Sequence, residues 1–147
     1  MKRQLKQHVA IFSPPFLDLI LEGRKTIEGR FSRVRCAPFN SIYEGDTVLM
    51  KESGGPIRGS FLVARVETFD NLNSEKLMDL EIIYGARLCA EVDPQYWQKR
   101  SDTRYATLLH VSKIRRFDQP FSFPKKDRRG WVILDKPFPT LPKEANE

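Results

Sequence analysis

Apolar and polar positions along the chain alternate in a way that predicts a mostly β domain with helices inserted between strands. The apolar run at 8–12 predicts a short buried strand. Apolar residues then follow at the i, i+3, i+4 spacing of a helical face, beginning at Leu17. Ser13 is a candidate N-cap for this helix, and Gly23 can adopt the left-handed conformation that ends one. The pattern therefore predicts a short helix directly after the first strand.

The period changes to two after Gly23, and the segment KTIEGRF at 25–31 predicts a second strand. Alternation gives this strand a polar face with Thr26, Glu28 and Arg30, and a core face with Ile27, Gly29 and Phe31. Residues on one face of a strand lie about 7 Å apart. The polar face should therefore present a row of charges, whereas the alternation does not assign a direction to Lys25 at the strand entrance.

Four more stretches predict strands, which brings the total to about six. They are 44–52, 57–70, 103–117 and 130–134. The SGGP turn at 53–56 joins the first two as a hairpin, and Gly59 predicts a bulge or a close approach of two strands. The Pro-rich, charged stretch 118–130 predicts a loop.

Two further helices are predicted between the strands. The longer one spans 73–85, with Asn73 or Ser74 as N-cap and Gly85 as its terminator. Its buried face would hold Leu77, Leu80 and Ile83. The stretch 93–100 predicts a short helix with a proline at its first position.

These elements predict a single α+β domain built on a small, curved or closed sheet. We assign residues 1–136 to this domain and 137–147 to a Pro-containing C-terminal tail that is extended on the surface or frayed. A chain of 147 residues is long enough to form one hydrophobic core.

The charge pattern adds a possible partner. The formal net charge is +6, and residues 101–131 hold eight Lys or Arg against three Asp. Lys and Arg contacts to phosphates supply most non-specific affinity for nucleic acids. The candidate phosphate-binding residues are Lys113, Arg115, Arg128 and Arg129. The alternative is a solvated face that only keeps the protein soluble.

Several classes of protein are excluded or disfavoured. No apolar run approaches the ~20 residues that span a bilayer, and the N-terminus lacks the features of a signal peptide. Cys36 and Cys89 are far apart, without the spacing of a zinc site or a disulfide framework. We therefore expect a cytoplasmic protein with reduced thiols, no metal and no cofactor.

The residues around the second strand resemble a known family. Gly23, Lys25, Glu28 and Arg30 form a Gly-x-Lys-x-x-Glu-x-Arg motif after the first helix, and a β-hairpin follows it. This order resembles the ASCH domain family over most of residues 8–134. The resemblance implies a β-barrel similar to the PUA domain of RNA-modifying enzymes, with a cleft near the motif that binds RNA or nucleotides.

The resemblance also implies a possible activity. One branch of the family removes an acyl group from modified cytidine with a Lys and a Thr of the motif strand and a later Glu. The Lys corresponds to Lys25, whereas the Thr position is Glu28 in this chain. Glu91 is our choice for the later acidic residue, with Glu81 and Asp93 as competitors.

The motif side chains suit a nucleotide ligand better than a metal. Lys25 and Arg30 can bind a phosphate or polarise a carbonyl, and Glu28 can accept a hydrogen bond from an exocyclic amine or act as a base. Gly23 and Thr26 belong to the same candidate ligand-binding segment. The structural alternative is an ion pair between Glu28 and Arg30.

Aromatic and histidine side chains complete the candidates. Tyr96, Trp97 and Tyr105 could stack on a splayed base, although such residues more often belong to the core. His8 and His110 lie in predicted strands, where a structural role is more common than a catalytic one.

Two functions remain open. The first is a module that binds RNA or single-stranded nucleic acid, with a cleft at the motif and phosphate contacts from the basic segment. The alternative is a small hydrolase, either an amidohydrolase on an acylated modified nucleoside or a ribonuclease, that uses Lys25 and Glu28. No membrane partner is expected.

Overall fold

The structure, a computed structural model, describes residues 3–125 and 127–146. It contains six strands and two α-helices in the α+β arrangement that the sequence predicts. In chain order these are β1 Gln7–Phe12, α1 Phe16–Leu21, β2 Ile27–Ser32, β3 Thr47–Glu52, β4 Ile57–Phe69, α2 Ser74–Leu88, β5 Tyr105–Phe121 and β6 Trp131–Ile133. Two 3-10 helices, Ala90–Val92 and Gln98–Arg100, lie between α2 and β5.

All six strands form one sheet in the order β2-β5-β4-β3-β1-β6. Strands β1 and β3 are parallel, and α1 and β2 lie in the connection between them. Every other pair is antiparallel. The sheet curls into a half-barrel, so β2 and β6 are its two edges. The predicted small curved sheet in a single domain is confirmed.

Helix α1 covers one side of the curled sheet. Leu17 and Ile20 are buried against strands β3 and β4, which confirms the predicted apolar face. Gly23 has φ +79°, which confirms the left-handed end of the helix. The predicted cap at Ser13 is wrong, because Pro15 occupies the N-cap position and Ser13 only accepts the Phe16 N–H through its carbonyl. A side-chain cap from Ser13 would need a backbone N–H in the first turn of the helix, and Pro15 has no N–H to donate.

Helix α2 begins as predicted and ends later. The side chain of Asn73 accepts a hydrogen bond from the Lys76 N–H at 2.9 Å, which confirms the N-cap. Gly85 does not end the helix, which continues to Leu88 and is closed by Cys89 at φ 58°. Complete burial of Leu88 compensates for the roughly 1 kcal/mol that a mid-helix glycine costs.

Two other predictions in this region are wrong. Ile83 is 63% exposed, and the buried residues of α2 are Leu77, Leu80 and Leu88. The stretch 93–100 is a turn that ends in the 3-10 helix Gln98–Arg100 rather than one helix from its proline. Its aromatic residues pack between α2 and β2, and this packing replaces regular helical hydrogen bonds.

Strand β5 is longer than its pattern predicts. It continues through the first part of the expected loop and ends at Phe121. Phe117 and Phe121 stack on each other and pack with Phe138 and Leu141 of the tail. The tail is extended along the surface, where the Lys143 carbonyl accepts the Asp118 N–H. Apolar contacts to the tail thus support β5 beyond Phe117, where its register with β4 shifts.

Close approach of β4 and β5 requires a glycine at position 59. A Cβ at this position would clash with the carbonyl of Arg115, and the strand register shifts between Ile57 and Gly59. The predicted irregularity at Gly59 is therefore confirmed. Among the described residues, no helix is long and apolar enough to span a membrane.

Candidate functional site

The two edges of the sheet approach each other at Arg30. This side chain lies on edge strand β2 and donates from Nη2 to the carbonyl of Ile11 on β1 at 3.0 Å. Nη1 donates to the carbonyl of Gly130, the residue before β6, at 3.1 Å. Arg30 thus bridges the open side of the half-barrel.

The motif charges form one connected and largely buried group, which we call the motif network: Lys25, Glu28 and Arg30. Lys25 is 1% exposed, and its Nζ donates to the Leu88 carbonyl at 2.7 Å and lies 3.3 Å from Glu28 Oε1. Arg30 Nε and Nη2 lie 2.9 and 2.8 Å from Glu28 Oε2. The predicted common face of Glu28 and Arg30 is confirmed, and so is the ion pair between them.

The two cations differ in their burial and in how many groups they bind. Arg30 directs four of its five N–H groups at Glu28 and at the carbonyls of Ile11 and Gly130, so it bridges separate parts of the structure. Lys25 has three N–H groups, and two face the Leu88 carbonyl and Glu28. Each cation therefore keeps one N–H group beyond these contacts, and the Lys25 ammonium is the more deeply buried of the two.

Burial also changes the acidity of this lysine. Desolvation lowers the pKa of Lys25, while the neighbouring Glu28 carboxylate opposes this shift. A lysine with a lowered pKa can donate a hydrogen bond as the ammonium or exchange its proton more readily than a surface lysine.

A cavity of about 180 Å³ opens above the motif network, and we call it cavity 1. Four aromatic rings and Arg100 surround the charged floor. The lining consists of Ile11, Phe12, Ser13, Phe16, Lys25, Glu28, Gly29, Arg30, Phe31, Tyr96 and Arg100. The Arg100 guanidinium lies 3.6 Å from the centre of the Tyr96 ring. Aromatic walls around a cationic floor suit a flat, polar ring.

A second cavity of about 200 Å³, cavity 2, lies further along β2. Arg30 and Phe31 line both cavities. The other lining residues are Ser32, Cys36, Ala37, Pro38, Phe39, Thr107, Gly130 and Trp131. Most of this lining is apolar or aromatic.

A wide groove of about 750 Å³ lies beside both cavities, and we call it the basic groove. Its lining has four cationic side chains and one carboxylate, namely Lys51, Lys125, Arg128, Arg129 and Asp127. Asp127 pairs with Arg129 at 2.9 Å and also with Lys125. The groove has the lining residue Ile11 in common with cavity 1 and Gly130 in common with cavity 2, so it neighbours both.

The structure brings only part of the predicted basic segment into this groove. Arg128 and Arg129 line it, whereas Lys113 and Arg115 are exposed on β5, outside its lining. Lys125 and Lys51 are groove residues that the sequence analysis missed. Lys51 comes from β3, so no local pattern connects it with the loop after β5.

Other predicted site residues lie outside cavity 1. Gly23 is exposed in the turn after α1, and Glu91 is exposed in the 3-10 helix Ala90–Val92. The hydroxyl of Thr26 accepts a hydrogen bond from Arg87 Nε at 3.1 Å. The structure therefore does not bring these three side chains to Lys25 and Glu28.

The aromatic candidates divide between the two cavities. Tyr96 is 3% exposed and lines cavity 1, and burial raises its pKa well above the usual value. Trp97 packs edge-on against Phe31 behind this wall. Tyr105 packs edge-on against Phe39, a lining residue of cavity 2, with ring centres 5.0 Å apart.

Arg100, Phe16 and Phe31 also line cavity 1, although they were not predicted as site residues. A signal for Arg100 exists, because it follows Tyr96 by four residues and lies over its ring. Phe16 and Phe31 carry no such signal, since their apolar character predicts only core packing.

Both histidines have carboxylate partners. His8 is fully buried, with Nε2 2.9 Å from Asp46 and Nδ1 accepting from Trp131 Nε1 at 2.9 Å. His110 Nε2 lies 2.7 Å from Glu67 on the adjacent strand. Neither histidine lines cavity 1, cavity 2 or the basic groove. Within residues 3–125 and 127–146, no group of three His, Cys, Asp or Glu side chains is placed to hold a metal ion.

Comparisons with known proteins agree on the fold. The sequence model of the ASCH domain matches residues 11–122. The crystal structure of ASCH from Zymomonas mobilis superimposes with a TM-score of 0.69 at 16% identity and covers 89% of each chain. The N-terminal domain of Staphylothermus marinus McrB gives a TM-score of 0.52 at 14% identity, over 81% of this chain and 77% of that chain. No curated protein sequence matches this chain significantly.

Proposed function

We propose that this chain, which belongs to the ASCH domain family, binds single-stranded RNA. One base enters cavity 1, and phosphates next to that base lie in the basic groove. The ligand is recognised as a nucleic acid by the combination of a base-sized cavity with a cationic groove beside it.

The observation that carries this proposal is the unused donor of Lys25 at the floor of an aromatic cavity. A base in cavity 1, beside the edge-to-face pair of Phe16 and Tyr96, would place an oxygen or nitrogen acceptor within reach of Lys25 Nζ. Because Leu88 and Glu28 hold the ammonium in place, contact with the ligand costs little side-chain entropy.

The size of cavity 1 restricts the ligand. Its volume of about 180 Å³ lies below the roughly 300–1,000 Å³ of pockets that enclose drug-sized molecules. A single base fits this scale, whereas the sugar and phosphate must remain outside. Ile11 lines both spaces, so the basic groove is the neighbouring space that would receive these phosphates.

A salt-dependent titration of fluorescent single-stranded RNA tests the proposal. The double variant Arg128→Ala/Arg129→Ala removes two cations of the groove. We expect it to lower affinity about tenfold and to reduce the slope of log K against log salt by about 2.

The double variant Lys113→Ala/Arg115→Ala is the matched control, because it removes the same charge from the same segment outside the groove. It should keep most of the wild-type affinity. Equal losses of RNA affinity in the two variants would mean that affinity depends on net charge alone, and they would reject the groove as the phosphate-binding site. Absence of binding by wild type at low salt would reject RNA binding altogether.

A second candidate function is hydrolysis of an amide on a modified nucleoside. Burial lowers the pKa of Lys25, and Glu28 lies 3.3 Å from its Nζ. A neutral Lys25 could take a proton from the water that attacks the acyl carbonyl, and the ammonium could return that proton to the departing amine. Glu28 would then act by positioning Lys25.

Incubation of N4-acetylcytidine with the protein tests this alternative, with acetate and cytidine measured as products. Hydrolysis by wild type that is lost in a folded Lys25→Ala variant would support it. Full activity of Lys25→Ala, or no activity of wild type, would reject it. RNA binding without hydrolysis would support the binding function and reject the hydrolase.

A further inference from the structure

We infer that cavity 2 is a second base subsite, so that the protein holds two successive bases of one strand on either side of Arg30. This inference rests on the proposed function, because cavity 1 must hold the first base. It adds a site that neither the motif nor the family match assigns.

The two cavities follow each other along β2. Residues 28–31 contribute to cavity 1 and residues 30–32 to cavity 2, with Arg30 and Phe31 shared. The offset of one to two residues corresponds to roughly 5 Å along the strand at ~3.3 Å per residue. The two cavities are therefore close enough to receive successive bases of one strand.

Arg30 is suited to separate two bases because it is held on all sides. Glu28 and the carbonyls of Ile11 and Gly130 fix its guanidinium at the boundary between the cavities. The same group lies 4.9 Å from the ring centre of Phe12 and 5.1 Å from that of Trp131. A cation fixed in this way forms a rigid boundary between two bases rather than a mobile one.

The lining of cavity 2 resembles that of cavity 1 in the features that accept a base. Phe39 and Trp131 supply aromatic surface, and the hydrogen bond from Trp131 Nε1 to His8 fixes the indole. Thr107 and Ser32 add neutral polar groups, without the lysine of cavity 1. A stacked base with few polar contacts fits this lining, so we expect cavity 2 to discriminate weakly among bases.

The basic groove connects the two subsites. Ile11 joins it to cavity 1 and Gly130 joins it to cavity 2. A backbone that runs along this edge can direct two successive bases into the two cavities. Its phosphates would then remain near the groove cations.

Binding of ribonucleoside 5′-monophosphates and of 5′-phosphorylated RNA dinucleotides tests the inference. For the best pair, wild type should bind the dinucleotide about tenfold more tightly than the monophosphate, the gain expected for one stacked base. Cys36→Trp places a large side chain at an exposed position of the cavity 2 lining. It should abolish this gain and leave the affinity for the monophosphate within about twofold of wild type.

Val34→Trp is the matched control, because Val34 is 59% exposed, lies in the same loop and does not line cavity 2. It should bind both probes as wild type does. An unchanged dinucleotide gain in Cys36→Trp would overturn the second subsite.

Alkylation of Cys36 in wild type gives an independent measurement, since Cys36 is exposed whereas Cys89 is buried. A saturating dinucleotide should slow alkylation of Cys36 at least about fivefold, whereas a saturating monophosphate should not. Dinucleotide binding without this protection would reject cavity 2 and leave the proposed function intact. Failure of both probes to bind would reject the proposed function together with this inference.

Discussion

Two buried polar networks in this protein are built from similar parts and lead to different conclusions. The motif network joins Lys25, Glu28 and Arg30. The second, which we call the Asp46 network, joins Arg3, His8, Asp46 and Trp131. Each contains a carboxylate that is almost inaccessible, with Glu28 5% and Asp46 0% exposed.

In the Asp46 network, the carboxylate oxygens of Asp46 and both ring nitrogens of His8 have hydrogen-bond partners. Asp46 accepts from both terminal nitrogens of Arg3, from the backbone N–H groups of Lys6 and Tyr43, and it bonds His8 Nε2. The other nitrogen of His8 accepts from Trp131. Neither Asp46 nor His8 lines cavity 1, cavity 2 or the basic groove, so this network fixes structure.

The motif network differs in one donor and in its surroundings. Lys25 keeps an N–H beyond its contacts with Leu88 and Glu28, and the residue lines a cavity with aromatic walls. The comparison shows that burial of charge does not by itself identify a site. An unused hydrogen-bonding group beside a cavity is the more informative feature.

The largest effect that tests this comparison is on stability. Asp46→Ala leaves the buried His8 and the Arg3 guanidinium without their shared acceptor, so it should lower the free energy of unfolding by about 3 kcal/mol. Urea denaturation measures this loss. Asp18→Ala is the control, because Asp18 pairs with Arg58 while it is 48% exposed, and it should cost below about 1 kcal/mol. RNA affinity of folded Asp46→Ala should remain that of wild type, and a loss of affinity would contradict a purely structural role.

The next effect concerns binding at the motif network. Lys25→Met keeps the volume and leaves Glu28 paired with Arg30, but it removes the donor of the buried Leu88 carbonyl, so stability should fall by about 1–3 kcal/mol. Loss of the charged donor should weaken RNA binding roughly thirtyfold, or about 2 kcal/mol. Titration of RNA and urea denaturation of the same sample check both parts. Wild-type affinity in a folded Lys25→Met would place the ligand outside cavity 1.

The smallest effect is the response of the Asp46 network to acid. Burial would raise the pKa of Asp46, but hydrogen bonds from Arg3, Lys6 and His8 lower it from 3.8 to about 2. A carboxyl with a lowered folded-state pKa stabilises the protein above its unfolded pKa, and this contribution is lost as pH falls from about 4 to about 2. We expect a decline of about 1–2 kcal/mol in this window.

Asp46→Asn should lack this acid-dependent step, which unfolding free energies of both proteins across the window would show. His8 adds a decline at higher pH with the same sign. Burial lowers its pKa, so its contribution is present above its usual value of 6.5 and is lost as pH falls below it. A wild-type stability that stays flat down to pH 2 would contradict the pairing of Asp46.

Much of the fold was predictable because its signals are local. Period-two alternation placed Glu28 and Arg30 on one face, and their hydrogen bond confirms it. Gly23 and Asn73 marked helix ends through their own backbone and side-chain chemistry. The motif likewise identified the family, because its four residues lie within eight positions of one helix–strand junction.

The errors arose where packing overrides local preference. Gly85 remains inside α2 because Leu88 beyond it is completely buried, and β5 continues past Phe117 because the tail packs against Phe121. Sequence patterns cannot weigh such contacts, since both partners are apolar and far apart along the chain.

The order of the elements, the helix ends at Gly23 and Asn73 and the charged face of β2 follow from interactions within a few residues, so they could be predicted from the sequence. The roles of those charges depend on contacts between residues far apart along the chain. Lys25 binds a carbonyl 63 residues away, and Arg30 binds carbonyls 19 and 100 residues away. Closure of the half-barrel brings these groups together, and it places the buried Lys25 ammonium beside a cavity while Arg30 bridges the two edges of the sheet.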